Sequence, residues 1–242
     1  VEANNATAPY DGQLHSATGL MTDTFVVNGE TYTVSGLAAE VTATDADEYA
    51  NTVTGTPVVK DAAGNDVTAQ FEVHTKNGKL TITKRTVIFT SATDSKPYDG
   101  KPLTNHEVTI TGDGFAEGEG AVYNVTGSQT EAGFSNNTFS YELKDNTKPD
   151  NYNITSFEGI LTVSSSEDEV VVTITGNKDT QKYDGTEKTV EGYTVSITSP
   201  LYKESDFTFD GTALVKGTNA DTYMMGLSEE NFTNTNKNFA RV

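Results

Sequence analysis

The sequence contains no cysteine and no tryptophan. The first absence excludes disulfides, thiolate metal sites and cysteine nucleophiles. The second removes the aromatic most used as a sugar-stacking platform. No apolar run approaches the roughly 18–20 residues that a membrane span needs, so no membrane insertion is expected. No signal-like segment stands at Val1, and the chain reads as an excised fragment whose signal and anchor lie outside it. Positive charge is scarce as well: 16 Lys and Arg face 35 Asp and Glu, a net charge of −19. Such a polyanion repels phosphate backbones and anionic lipid, which excludes nucleic acid and anionic membranes as partners. The charge is spread evenly, with −6, −7 and −6 over residues 1–85, 86–166 and 167–242. That pattern describes a solubilising surface rather than a dedicated acidic site. Hydrophobic residues make up 34% of the chain, enough for several thin cores but poor for one large one.

What is present is internal repetition. Tyr-Asp-Gly occurs three times, as Tyr10-Asp11-Gly12, Tyr98-Asp99-Gly100 and Tyr183-Asp184-Gly185, with the tyrosines 88 and 85 residues apart. A second landmark follows each of them: Ala46-Asp47-Glu48-Tyr49, Ala132-Gly133-Phe134 and Ala220-Asp221-Thr222-Tyr223. A third closes the unit. Phe71 precedes Gly78-Lys79-Leu80-Thr81-Ile82, and Tyr152 precedes Gly159-Ile160-Leu161-Thr162-Val163, with nine residues from aromatic to leucine in both. Phe239 is the third aromatic, and its closing strand would fall past Val242. The sequence therefore predicts three modules, 1–84, 85–166 and 167–242, the last lacking its closing strand. Their junctions are very short, so an end-to-end arrangement is expected.

Period-two alternation recurs in Lys79–Thr83, Glu107–Thr111, Thr138–Leu143 and Tyr193–Ile197, each bounded by Gly, Asn or Asp. Asn28-Gly29, between Phe25-Val26-Val27 and Thr31–Val34, is a hairpin signal. Ser199-Pro200 is the one helix start, opening Leu201–Asp206. The expected fold class is mainly β, with three tandem β-rich modules that are β-grasp-like and carry at most one short helix each. Small immunoglobulin-like sandwiches are the alternative.

The motifs Lys-x-Tyr-Asp-Gly, Ala-(x)-x-aromatic and Gly-x-Leu-Thr-(Ile/Val) resemble those of the YDG and MBG repeat families. These are tandem modules of large adhesins on the surface of Gram-positive bacteria. The resemblance spans the whole chain, although Ala8 stands where copy one should have its lysine. It implies display on the extracellular bacterial surface, through a wall anchor outside the fragment, and a role as stalk or spacer without catalysis. The alternative is that the modules themselves bind host glycoprotein, mucin or polysaccharide. A monomer is expected.

Candidate chemistry is thin. In each Tyr-Asp-Gly the simplest reading is a turn: Asp caps the backbone, Gly takes positive φ and Tyr packs beneath. In the second landmark, Ala or Gly permits close approach and the aromatic starts a core strand. The acidic groups Asp45–Glu48, Glu167–Glu169 and Asp61…Asp66 lack calcium-loop spacing. His15, His74 and His106, the three histidines, occupy no repeated position. The expectation is no enzyme, no cofactor and no metal.

Overall fold

Alternating Leu80 and Ile82 point one way from the strand Gly78–Thr83, and both are buried, while Lys79 and Thr83 are exposed. Strands of this kind make the molecule mainly β. The computed structural model describes all 242 residues, with 21 strands and four three-residue 3₁₀ turns. The Asn28-Gly29 hairpin is present, joining Thr24–Val27 to Glu30–Ala43, with Asn28 at φ 49°.

The helix expected from Ser199-Pro200 is absent. Ser199 Oγ accepts the Leu201 N–H at 3.3 Å, but the cap leads only into a turn and the 3₁₀ segment Glu204–Asp206. Six residues form too short a stretch to offset helix nucleation. Burial of Tyr202 holds the segment as a turn instead.

The chain forms two compact units. The first comprises Val1–Ser91, Glu107–Asn124 and Phe139–Phe157, and the second Ala92–His106, Val125–Thr138 and Glu158–Val242. The compact unit and the sequence repeat are thus different partitions of the chain, because each unit draws strands from two successive copies.

In the first unit, copy one supplies a three-stranded sheet. Its closing strand Gly78–Thr83 lies between Ala6–Pro9, parallel to it, and Glu48–Asn51, antiparallel to it. Copy two supplies a second three-stranded sheet, in which Arg85–Ser91 lies between Val108–Gly112 and Tyr152–Phe157. One core joins them: Tyr10, Leu80 and Ile82 from copy one pack with Val87, Phe89 and Tyr152 from copy two.

The second unit repeats the design. Gly159–Ser164 lies between Asp94–Pro97, parallel, and Gly133–Asn137, antiparallel. Copy three adds the pairs Val172–Gly176 with Tyr193–Ile197, Lys188–Glu191 with Leu214–Gly217, and Phe207–Phe209 with Phe232–Asn234. Tyr98 of copy two packs against Val170, Tyr202 and Phe239 of copy three.

The first closing strand begins with glycine for a steric reason. A Cβ on Gly78 would stand 2.3 Å from the Asn4 carbonyl oxygen, an impossible approach to backbone. Opposite Gly78 in register is Asn51, and opposite Gly159 is Asn137; both asparagines are fully buried.

Candidate functional site

The three Tyr-Asp-Gly turns share one local geometry. Gly12, Gly100 and Gly185 have φ of 79°, 73° and 75°, the left-handed region that a side chain disfavours. In each, the aspartate Oδ1 accepts a backbone N–H two residues on: Asp11 from Gln13 at 2.8 Å, Asp99 from Lys101 at 2.9 Å and Asp184 from Thr186 at 3.0 Å. A cationic or imidazole neighbour adds a bond, from Lys96 to Asp99 and from Lys188 to Asp184 at 2.7 Å each, while His15 lies 2.8 Å from Asp11. The Lys96 bond, then the Lys101 amide, hold Asp99 below the usual carboxylate range. Lys188, then Thr186, do the same for Asp184, and the Gln13 amide, then His15, for Asp11.

The tyrosines behave differently, because what packs on them comes from the next copy. Tyr10 is 3% exposed and meets Tyr152 edge to face at 5.6 Å between ring centroids. Tyr98 meets Phe239 in the same way at 5.5 Å. Tyr183 is 68% exposed. Tyr10 and Tyr152 donate to the two oxygens of Glu119, at 2.5 and 2.6 Å. Burial, then the Glu119 bond, raises both phenols, that of Tyr10 to about 12.

The second and third landmarks meet at the same joint. The Ala46 N–H donates to Asn151 Oδ1 at 2.8 Å, and the Ala132 N–H donates to Asn238 Oδ1 at 2.6 Å. Each asparagine also turns its amide to the acid just before that alanine: Asn151 Nδ2 donates to Asp45 Oδ1 at 3.0 Å, and Asn238 Nδ2 donates to Glu131. Each immediately precedes the aromatic that covers the tyrosine of the earlier copy. The aromatics are presented alike, since the N–H groups of Phe71, Tyr152 and Phe239 each bond the carbonyl three residues back. A joint therefore consists of Tyr and Ala from one copy and Asn-aromatic from the next, and it occurs once in each compact unit.

One sequence reading changes. The register places Tyr49 opposite Leu80 but Ser135, not Phe134, opposite Leu161. Phe134 thus sits one residue out of phase with Tyr49, which in a strand turns it to the other face, and it is 75% exposed. It does not start a core strand. Asn151 and Asn238 belong to none of the three landmarks; their one signal in the sequence is an amide side chain directly before each closing aromatic, Gln70 in copy one.

The remaining candidates are occupied locally. The oxygens of Asp45 bond Lys148 and Asn151, and Asp47 caps the Glu48 N–H. Asp61 accepts from the Ala63 and Asn65 backbones at a hairpin tip, and Glu169 pairs with Arg241. His74 lies exposed beside Glu72, and His106 Nδ1 lies 3.3 Å from the Val125 carbonyl oxygen. No three His, Asp or Glu side chains cluster as metal ligands would, and no helix is long and apolar enough to cross a membrane. Compared with protein-family models, curated proteins and solved structures, the chain finds no match.

Proposed function

We propose that the chain is a non-catalytic repeat region of an extracellular bacterial surface adhesin, serving as a spacer that displays other segments. One observation carries this reading: at two places, a tyrosine, an alanine and a closing aromatic that recur from copy to copy clamp one copy onto the next. Tyr10, Ala46, Asn151 and Tyr152 make one joint, and Tyr98, Ala132, Asn238 and Phe239 make the other. Recurrence at a joint is what a repeat held under tension requires, since successive copies then share a core rather than a loose linker. A ligand site would need recurring side chains free to meet a ligand, whereas Tyr10, Asn151 and Asn238 are buried. The closing strand's place between a parallel and an antiparallel neighbour supports a β-grasp-like module, here without the helix such a sheet usually carries.

The test has two arms. Force spectroscopy on the purified chain should show cooperative unfolding of whole units, with no low-force step at the copy junctions. A host-glycan and mucin array should show no saturable binding. Saturable binding to one glycan class, lost in Phe134→Ala without a fall in melting temperature, would replace the spacer reading with a binding one.

A further inference from the structure

Copies one and two place a closing strand between two partners, and in copy three both partners are present with no strand between them. The residues just before each tyrosine are Ala6–Pro9, Asp94–Pro97 and, in copy three, residues 179–182. The first two are strands; residues 179–182 have no partner strand and are exposed. On the other side, Glu48–Asn51 and Gly133–Asn137 are strands, and the corresponding residues 222–225 are not. The correspondence holds in detail, since Tyr223 Oη donates to the carbonyl four residues back (Asn219, 3.4 Å) as Tyr49 Oη does to that of Asp45 at 3.1 Å.

Between these two edges lies a groove of about 570 Å³ whose lining includes Val190 and Val215. Counted from the strand pairings His15 with Ala43 and Lys188 with Gly217, Val190 and Val215 correspond to Ala17 and Val41. Those are residues of the core that buries Leu80 and Ile82 in copy one.

We propose that this groove is a strand-docking site for one kind of occupant, a β-strand of the repeat's own Gly-x-Leu-Thr-Val closing type. The strand enters parallel to residues 179–182 and antiparallel to residues 222–225. The register follows from copy two, where Leu161 pairs with Asp94 and Val163 with Lys96. It places the incoming leucine beside Asp179 and the valine beside Gln181. Main-chain hydrogen bonds to two edges supply affinity, and the two alternate apolar side chains supply selectivity. The site is independent of the spacer reading, since it rests on the sheet order alone.

The probe is the segment Glu158–Ser164, supplied as a free peptide and also fused after Val242 through a flexible Gly-Ser linker of about eight residues, which raises its effective concentration. Hydrogen exchange is followed at the amides of residues 180–183 and 222–225. The expected result is at least tenfold slower exchange at both edges with the fused strand, and saturable slowing with the peptide. A strand carrying aspartate in place of its leucine and valine should produce neither effect. Equal protection by the two strands, or none by either, overturns the proposal. Protection that rises with chain concentration in the absence of any added strand also overturns it, assigning the groove to a second copy of the chain.

Discussion

Replacing Asn151 by alanine removes the central bond of the first joint while leaving every strand in place. The cost follows from what the side chain does. Its Oδ1 is the acceptor for the Ala46 N–H, and its amide holds Asp45, which keeps Lys148 as a partner. Leaving one half-buried amide unsatisfied costs about 1–3 kcal/mol. The bond to Asp45 adds little, because that carboxylate remains partly in water. A small void at a fully buried position adds up to about 1 kcal/mol. The expected loss is about 2–3 kcal/mol, and at roughly 4 °C per kcal/mol for a domain of this size the melting temperature of the first unit falls by about 8–12 °C.

Asn238→Ala should do the same to the second unit, through Ala132 and Glu131. Urea denaturation followed by hydrogen exchange separates the two units, and Asn153→Ala, an exposed asparagine two residues from the joint, is the comparator. If the two joint variants lose no more than the comparator, the recurring asparagines do not hold the copies together, and the joint has been misread.

Other outcomes follow from single positions. Gly78→Ala should destabilise the first unit by roughly 2–3 kcal/mol, the scale of forced backbone movement in a packed site, measured as a lower urea midpoint at unchanged slope. Asp99→Ala should lower the melting temperature of the second unit at neutral pH. Because the folded carboxyl of Asp99 is held below its unfolded value, its contribution is present above about pH 4 and is lost as pH falls further, so variant and parent should converge at low pH. At the alkaline end, Tyr10 is raised to about 12. Its contribution is intact below about pH 10 and is lost between pH 10 and 12, so the first unit should weaken there, with a late-titrating phenol visible in the ultraviolet.

Much of this fold was legible because its rules are local. Alternation in Lys79–Thr83 marks a strand with one wet face, and that is how it folds. Tyr-Asp-Gly marks an aspartate-capped turn, and the turn forms even at Asp184, where nothing covers the tyrosine. What could not be read was the partner of each landmark. Ala46 and Asn151 lie 105 residues apart, and Ala132 and Asn238 lie 106 apart, so each contact spans more than one repeat period. Aligning copies by sequence compares equivalent residues with one another and says nothing of contacts between unlike positions in successive copies. The Phe134 reading failed for a related reason. Copy two places its aromatic one position earlier relative to the alanine than the register allows, and only the pairing with Leu161 reveals that Ser135 holds the core-facing place.

The same arithmetic explains why the compact units ignore the repeat boundaries. In a chain of independent domains, the recurring residues would lie inside one period, and a boundary at Lys84 would cut few contacts. Here Tyr10 of the first copy is buried against Tyr152 of the second, and Leu80 and Ile82 share their core with Val87 and Phe89. A cut at Lys84 would leave each of these side chains with one side bare. The repeat is therefore a unit of sequence, and the fold's unit is the overlap of two repeats, with one copy giving the tyrosine and closing strand and the next giving the asparagine and aromatic. Residues 177–187 show how local the turn is and how non-local the sheet: they are exposed throughout and pair with no strand, with the Asp184 turn intact.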